Sequence, residues 1–399
     1  MTDATTGERY CIGYISKPTK TNYDMLNPFW YINKQWLDTL GLEVPTTVDE
    51  LHDVLTHFLN DDPNGNGEKD EIPFFTMDGG YRTKGLQQII NAYIYCQDEY
   101  VYNVENGKVY VPYDQDEYRQ ALITLNQWYK EGLISPLCFT TTKYAETKTL
   151  FNVEDEKTAI LGNILCNPTL YVDNENDVRL QYVGVDLLEA ETPRGGYNNT
   201  YGVSYGYMTY ITCDAEDPEL CFRFMDFFND FETFMFNRYG RKDIDWEYCE
   251  EGLVNSVGET ARVNLIDSTV YTTQNNINWH YLGGGIQEGY LALQPWVDDG
   301  SEGTAWKKAR SEYTVQVSSH DRPAEYIQQL SYSADEQEIV TENLTLFKDR
   351  VKEARSQFVT GVLDPNNDKD WNDYVASLEN LGMSKLIECA QGAYDRMSK

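Results

Sequence analysis

Apolar residues follow strand-like spacing in some segments of this chain and helical spacing in others, and the two kinds of segment alternate. Alternating or continuous apolar runs, which are typical of strands, occupy residues 10–15, 157–165, 180–185 and 201–212. Helical spacing marks other segments, including those that contain Val48, Tyr118 and Ile339. This alternation of strands and helices predicts an α/β architecture.

Several local signals sharpen this prediction. Asn106-Gly107 separates two alternating runs and predicts a β-hairpin. Residues 218–236 are rich in aromatic side chains and are expected to form one helix that ends near Gly240. Residues 272–303 are expected to be mainly loop.

The helix that begins at Thr47 leads directly into an unusual polar segment. Thr47 and Glu50 have the spacing of a capping box, and the helix has one apolar face. The segment that follows reads DPNGNGEKDEIP. Three oxygen-bearing side chains lie at every second position of it, and Gly67 permits a sharp turn.

This polar segment predicts a calcium site. So many oxygen donors suit a hard cation, and the flexible geometry favours calcium over magnesium. The twelfth position, Pro73, lacks the usual acid, so Glu71 is expected to replace it. The alternative is a metal-free turn stabilised by its own Asp and Asn side chains. The expected ligands are Asp62, Asn64, Asn66, Glu68 through its carbonyl, Asp70 and Glu71.

Size and charge narrow the functional classes. With 399 residues, 41% of them hydrophobic, the chain can form two domains or one large two-lobed unit. A net charge of −33 disfavours nucleic acid and anionic membrane surfaces as partners. No apolar run is long enough for a membrane span, and the first residues lack a signal-peptide pattern. The eight cysteines contain no CxxC pair, which argues against zinc and iron–sulfur sites.

A hydrolase is the main alternative function. Residues 202–206 match the nucleophile-elbow pattern around Ser204, and His280 or His320 follow in hydrolase order. The elbow requires a helix directly after the serine, whereas the sequence continues as an alternating strand. Paired carboxylates of a glycoside hydrolase also stay possible among 65 acidic residues. A third interpretation is a surface interaction protein whose lobes do not close.

Aromatic residues in polar surroundings point instead to a sugar. The chain has 31 tyrosines and 8 tryptophans, some of them in loop-like segments such as NWHY at 278–281. The apolar face of a pyranose packs on an aromatic ring, while amide and carboxylate groups bind its hydroxyls. An uncharged carbohydrate therefore fits this composition, although most aromatic residues must serve the core.

Long stretches of the chain resemble a known family. They include FWYINKQWLDTLGLEVPTTVDELHDVLTHFLNDDPNGNGEKDEIPF, ENGKVYVPYDQDEYRQALITLNQWYKEGLISP, NRYGRKDIDWEY and FVTGVLDPNNDKDWNDYVASLENLGMSKLIECAQGAYDRM. From about residue 8 onward the chain resembles the extracellular solute-binding proteins, family 1, of bacterial ABC sugar importers. The similarity is strongest to the lipoprotein members from Firmicutes.

The resemblance implies a two-lobed periplasmic-binding-protein fold of type II, with part of the N-terminal lobe missing. Family members carry a signal peptide, a lipidated cysteine and more than about a hundred further residues ahead of the matched region. The expected division is a crossover segment with a remnant of the N-terminal lobe at 1–32, a C-terminal lobe with the calcium loop at 33–190, a return to the N-terminal lobe at 191–300, and a helical region at 301–399.

The resemblance also implies a function. The protein would be a non-catalytic, monomeric subunit that binds an oligosaccharide outside the cell and delivers it to the permease subunits of an ABC transporter. It would carry Ca²⁺ on the six loop residues, which match the family's calcium ligands one for one. The family's ligand contacts map onto Trp30, Asn163, Asn167 and Trp279.

Overall fold

A computed structural model describes most of the chain. The described residues are 11–16, 30–77, 86–96, 101–143, 146–147, 150, 161–165, 177–197, 204–267, 270, 294–327 and 330–397. Two compact units emerge from the packing: unit 1 consists of Met1–Leu26 and Thr200–Ser318, and unit 2 of Asn27–Asn199 and Ser319–Lys399. The sequence-based division into four segments stays a prediction.

The described strands are short and are distributed over both units. They are β1 (Cys11–Ser16), β2 (Trp30–Asn33), β3 (Ile72–Phe75), β4 (Asn103–Glu105), β5 (Lys108–Tyr110), β6 (Leu161–Leu165), β7 (Tyr182–Gly184), β8 (Ser204–Tyr210), β9 (Trp246–Tyr248) and β10 (Val263–Leu265).

The described helices lie between and after these strands. They are α1 (Lys34–Leu40), α2 (Val48–Asn60), α3 (Leu86–Tyr93), α4 (Asp116–Lys130), α5 (Pro218–Phe227), α6 (Phe231–Tyr239), α7 (Glu302–Ser318), α8 (Ala334–Thr360), α9 (Asp368–Asn380) and α10 (Met383–Met397). The predicted α/β class is confirmed by this order of elements.

The sheet of unit 2 has the strand order β3-β6-β2-β7. β2 is antiparallel to both neighbours, with Trp30 opposite Leu165 and Asn33 opposite Tyr182. β6 is parallel to β3. The sheet therefore joins segments that are far apart in the sequence, and helices cover it because its strands are apolar.

Local signals set the ends of the first two helices. Asn33 caps α1 by accepting a hydrogen bond from the backbone N–H of Trp36. Gly41 ends the helix in the left-handed conformation, with φ of 69°. The Thr47 hydroxyl caps α2 by accepting from Glu50 N–H, while the Glu50 carboxylate accepts from Thr46. The predicted apolar face of α2 is confirmed, because its residues Val48, Leu51, Leu55 and Phe58 are buried.

Helices complete unit 2. Helix α8 packs on α4 and α10, and the side chain of Asn126 in α4 donates hydrogen bonds to the carbonyls of Phe358 and Val359. The predicted hairpin is β4–β5, with positive φ at both Asn106 and Gly107.

Unit 1 contains two separate strand pairs. β1 is antiparallel to β8, with a bulge between Ile12 and Tyr14. β10 is antiparallel to β9 and supports a small core of Phe234, Met235, Tyr239, Trp246 and Val263. In the part of the chain that the structure describes, β1 and β8 have no third strand beside them.

Two predicted elements need correction. Residues 218–236 form two helices rather than one, because Asp230 caps α6 by accepting hydrogen bonds from the backbone N–H and hydroxyl of Thr233. The predicted strand at 180–185 is shorter, since residues Asp177–Gln181 form a 3₁₀ helix before β7. Among the described helices, none is long and apolar enough to cross a bilayer.

Candidate calcium loop and ligand residues

The predicted calcium loop lies between the end of α2 and the start of β3. Asp61 follows the last residue of α2, and β3 begins at Ile72. The backbone turns tightly between them, with positive φ at Asp62, Gly65 and Gly67. A side chain at either glycine would be strained by this conformation, although no atom crowds it.

Side-chain oxygens stabilise this turn from within. The two carboxylate oxygens of Asp62 accept hydrogen bonds from the N–H groups of Asn66 and Gly67, at 3.1 and 3.0 Å. The amide oxygen of Asn64 also accepts from Asn66 N–H at 3.0 Å, and that of Asn66 accepts from Glu68 N–H at 2.7 Å. The alternating pattern therefore places three oxygen-bearing side chains on the inner side of one turn.

Asp70 closes the loop from its other end. Its carboxylate accepts hydrogen bonds from the amide nitrogens of Asn64 and Asn66, at 3.1 to 3.2 Å. Each amide can present oxygen instead of nitrogen after a half-turn of its terminal group. Three of the predicted ligands are thus joined by direct contacts. The Glu68 side chain is exposed, so only its backbone is suited to the predicted role.

The side chain of Glu71 is buried and has an oxygen atom without a hydrogen-bond partner. Only 9% of the residue is exposed, and its Oε1 atom has no hydrogen-bond partner. Burial raises the pKa of the Glu71 carboxyl, and the negative charges of Asp70 and Asp62 raise it further. A buried carboxylate oxygen without a partner costs free energy, which a cation in the loop would offset.

The donor set fits calcium better than a transition metal. It consists of carboxylate, amide and carbonyl oxygens, which are the groups that Ca²⁺ prefers. Within the described residues, no three His, Cys, Asp or Glu side chains form a metal-binding cluster. The fit therefore rests on the mixed oxygen set and on Glu71, and the six ligands stay a prediction.

One contact beside the loop was missed from the sequence. His57 Nδ1 lies 2.6 Å from the Asp61 carboxylate, and the two residues are one helical turn apart. Their i,i+4 spacing is a usable signal for such a pair. This contact engages the carboxylate that directly precedes the first predicted ligand.

The loop leads into β3, which belongs to the same sheet as the two strands that carry predicted sugar contacts. Phe74 in β3 lies opposite Asn163 in β6, and Ile32 in β2 lies opposite the same residue on the other side. Trp30 is only 2% exposed, and its ring packs edge-on against Phe74 at 6.3 Å between centroids. In this structure the Trp30 ring therefore belongs to the core, and its ligand contact stays a prediction.

The remaining candidate residues are only partly described. The backbone of Asn163 lies in β6, while Asn167, Trp279 and His280 fall outside the described residues. Ser204 begins β8 and is followed by strand through Tyr210, so the helix that a nucleophile elbow needs is absent there. His320 Nε2 lies 2.6 Å from the Asp186 carboxylate, and both residues belong to unit 2.

The six described cysteines for which the bonding state is defined are free thiols, and three of them are buried. The three buried thiols serve as small apolar side chains of the core.

No family model matches the chain, whereas several curated proteins do. The chain is 38% identical over 121 residues to the fructooligosaccharide ABC transporter substrate-binding protein FusA of Streptococcus pneumoniae. It is 30% identical over 113 residues to the lipoprotein LipO of Bacillus subtilis. The matches cover 30% and 28% of this chain, and 22% of the length of each relative.

Solved structures match over the whole chain. One example is the HMO-binding, ABC-transporter-associated solute-binding protein of Bifidobacterium longum infantis, with a TM-score of 0.75 and 20% identity. Another is an EF-hand mutant of S. pneumoniae FusA in complex with fructo-nystose, with a TM-score of 0.68 and 21% identity. Each match covers 100% of this chain and 78% of the solved one.

These matches confirm two predictions. The predicted resemblance to the substrate-binding proteins of bacterial ABC sugar importers is confirmed by the curated relatives. The two-lobed solute-binding fold is confirmed by the solved structures. The relatives described above are named as binding proteins of transporters or as lipoproteins, not as hydrolases, which agrees with the non-catalytic interpretation.

Proposed function

We propose that this chain, which has the fold of the extracellular solute-binding proteins, is the carbohydrate-binding component of a bacterial ABC importer. The observation that carries the proposal is the structural match over 100% of the chain to a solute-binding protein, at a TM-score of 0.75. The sequence similarity to FusA, a protein named for fructooligosaccharides, supports an oligosaccharide as the ligand.

The proposal also covers the location, the oligomeric state and the partners of the protein. The protein acts outside the cell as a monomer and hands its ligand to permease subunits. The net charge of −33 supports an uncharged ligand, because anionic sugars would be repelled by the surface as a whole. Trp30, Asn163, Asn167 and Trp279 are the proposed contacts.

Isothermal titration calorimetry against a panel of oligosaccharides tests this function. The panel contains kestose, nystose, milk oligosaccharides and an anionic uronate oligomer as a charge control. We expect saturable binding of one uncharged oligosaccharide, and a loss of at least about tenfold in affinity for Trp279→Ala. Tyr326→Ala, which removes a half-exposed ring of unit 2, is the control and leaves affinity unchanged. Absence of binding across the panel would contradict the proposal, as would turnover of a glycoside or an ester.

We also propose that the loop holds a calcium ion as a structural staple. Asp62, Asn64, Asn66, Asp70 and Glu71 would supply side-chain oxygens, and Glu68 its carbonyl. The orphaned Oε1 of buried Glu71 supports this assignment most directly. The solved structure of a FusA EF-hand mutant supports the assignment independently, because it indicates an EF-hand in that relative. The ion would join the end of α2 to the start of β3 and would offset three carboxylates.

Calcium titration of loop variants tests the staple. We expect Glu71→Gln and Asp62→Asn to weaken calcium binding by at least about tenfold, since each removes a charged ligand. Glu68→Gln is the matched control in the same loop, because its exposed side chain has no predicted part in the site. Chelation should lower the melting temperature and leave sugar affinity unchanged well below it. Equal weakening by all three variants, or equal binding of Mg²⁺, would contradict the assignment.

A further inference from the structure

Three of the four strands in the unit 2 sheet run in the same direction. β6 is parallel to β3, and β7 is parallel to both because β2 is antiparallel to β6 and to β7. The last residues of the three parallel strands, Phe75, Leu165 and Gly184, therefore lie at one end of the sheet, which we call its carboxyl end. Open α/β sheets bind ligands outside the carboxyl ends of their strands, so a ligand is expected there.

The candidate calcium loop lies at the opposite end of this sheet. The loop leads into Ile72, the first residue of β3, and Ile72 pairs with Leu161 at the start of β6. The length of these strands separates the loop from the carboxyl end. Residues that contact a ligand are therefore expected on the far side of the sheet from the loop.

Asp186 places an accessible carboxylate at the carboxyl end. Thr76, Met77 and Val185 directly follow β3 and β7, and all three are buried. The Val185 N–H donates a hydrogen bond to the Trp30 carbonyl at 2.7 Å, which extends the pairing of β7 with β2. Asp186 is the next residue, and its side chain is 30% exposed. A ligand at the carboxyl end can therefore reach this carboxylate.

The Asp186 carboxylate is held in one orientation. Its Oδ1 atom lies 2.6 Å from His320 Nε2 and accepts a hydrogen bond from Leu187 N–H at 2.8 Å. A carboxylate can accept hydrogen bonds from about four donors at once, and a charged acceptor forms stronger hydrogen bonds than a neutral one. Its charge also repels anionic sugars. These properties suit a group that binds the hydroxyls of a neutral sugar.

We propose that Asp186 is a further contact residue for the ligand, which accepts hydrogen bonds from sugar hydroxyls, and that His320 positions its carboxylate. The proposal rests on the proposed carbohydrate-binding function. It adds to that function a charged residue that favours neutral over anionic sugars.

A matched pair of side chains lies toward the other end of the same sheet. His52 Nε2 is 2.6 Å from the Glu131 carboxylate, and these side chains are 30% and 37% exposed, against 36% and 30% for His320 and Asp186. Glu131 precedes a segment that pairs in parallel with β3, so it lies on the amino side. The two pairs have similar distances and exposure but different positions, which makes Glu131 a suitable control.

Calorimetry tests the contact with whichever sugar of the panel, kestose, nystose or a milk oligosaccharide, binds most tightly. We expect Asp186→Asn to weaken binding at least about tenfold, because a neutral amide replaces a charged acceptor. His320→Ala should weaken it by about three- to tenfold, and His320→Gln, which keeps a donor, should lose less. Glu131→Gln should leave the affinity unchanged.

Monodeoxy analogues of the same sugar separate a direct contact from a structural effect. The analogue that lacks the hydroxyl bound by Asp186 should bind the unsubstituted chain at least about tenfold more weakly than the parent sugar. The same analogue and the parent sugar should bind Asp186→Asn with similar affinity, because the two changes remove one interaction. If Asp186→Asn weakened every analogue by the same factor, Asp186 would have a structural role and the proposal would be wrong.

The imidazole NMR signals of the unsubstituted chain provide a measurement that requires no variant to fold. The chain has four histidines, and His52 and His57 lie on α2. Saturating sugar should shift the signals of His320 and leave those of His52 and His57 unchanged. The signals that disappear in His320→Gln identify this residue.

The outcomes distinguish this proposal from the proposed function. If no sugar of the panel binds the unsubstituted chain, the carbohydrate-binding function is wrong, and the role of Asp186 with it. If a sugar binds, but Asp186→Asn and Glu131→Gln bind it equally well or the His320 signals do not shift, only the role of Asp186 and His320 is wrong. Circular dichroism of each variant confirms that it is folded.

Discussion

The two units of this protein have similar helix caps, but they bury their large side chains to different extents. Nine of the eleven largest fully buried side chains of the described residues lie in unit 2, among them Trp36, Phe58 and Tyr374. Unit 1 contributes only Trp246 and Tyr239. Its helices α5 and α6 nevertheless have side-chain caps at their N-termini, as α1 and α2 of unit 2 do. Good helix signals are therefore not sufficient for a core, which requires apolar partners on every side.

The largest expected effect is the loss of a core ring in unit 2. Phe58 is fully buried, and its ring packs edge-on against Trp36 at 5.1 Å. Phe58→Ala should lower the free energy of unfolding by about 3 to 5 kcal/mol, because it leaves a cavity. Phe224→Ala in unit 1 is the matched control and should change it by less than about 0.5 kcal/mol. Urea unfolding measures the free energy of unfolding of both variants. Equal losses would contradict the proposed difference in packing between the two units.

A smaller effect is expected where backbones pack closely. A Cβ atom at Gly195 would lie 2.3 Å from the carbonyl oxygen of Ala92, so Gly195→Ala forces two backbone segments of unit 2 apart. We expect a loss of about 1 to 3 kcal/mol in stability. Gly303→Ala is the control in unit 1, because Gly303 lies in a helix with open space around it. That substitution should stabilise by up to about 1 kcal/mol, and thermal melts compare the two variants.

An acid-sensitive contact is expected in the small core of unit 1. The Arg241 guanidinium donates a hydrogen bond to the buried Asp245 carboxylate at 3.0 Å and holds the pKa of Asp245 below its ordinary value. Because the folded pKa is the lower one, this stabilisation is present above about pH 4 and is lost as the pH falls through the folded pKa.

Asp245→Asn should therefore destabilise unit 1 by about 1 kcal/mol at pH 7, a modest value because the Arg241 side chain is half exposed. At pH 3 the difference from the unsubstituted protein should shrink. Hydrogen exchange of β9 and β10 at the two pH values measures it. A difference that is the same at both pH values would show that the charge of Asp245 does not act in this way.

The smallest expected difference concerns helix caps. Thr47→Ala in unit 2 and Asp230→Ala in unit 1 each remove a side-chain acceptor at a helix N-terminus. We expect amide exchange in the first turns of α2 and α6 to accelerate by a similar factor, about five- to tenfold. A much larger effect in either unit would show that the cap also supports tertiary packing there.

Features that depend on neighbouring residues were predictable from the sequence. Helix α2 and its buried face follow from Thr47 and the spacing of Val48 to Phe58, and the β4–β5 hairpin follows from Asn106-Gly107. The helix break at Asp230 was missed because the aromatic residues on both sides have continuous helical spacing. Its Asn229-Asp230 pair was the available signal.

Features that depend on distant residues were not predictable in the same way. The order β3-β6-β2-β7 unites segments from residue 30 to residue 184, and no local pattern encodes such pairing. The six loop ligands could be proposed because they are adjacent in the sequence. The burial of Trp30 could not be predicted from the sequence. An aromatic residue in a strand has the same local sequence pattern whether its ring contacts a sugar or, as here, Phe74.

The hydrogen bonds from Asn126 to Phe358 and Val359 also have a consequence for biosynthesis. They span 232 and 233 residues, and all of unit 1 after Thr200 is translated in between. At 5 to 20 residues per second, roughly 10 to 50 seconds separate the synthesis of α4 from that of α8. Throughout that interval the nascent chain carries an unfinished unit 2 on the ribosome. An unfinished domain of this kind exposes apolar surface, which is the kind of surface that chaperones bind.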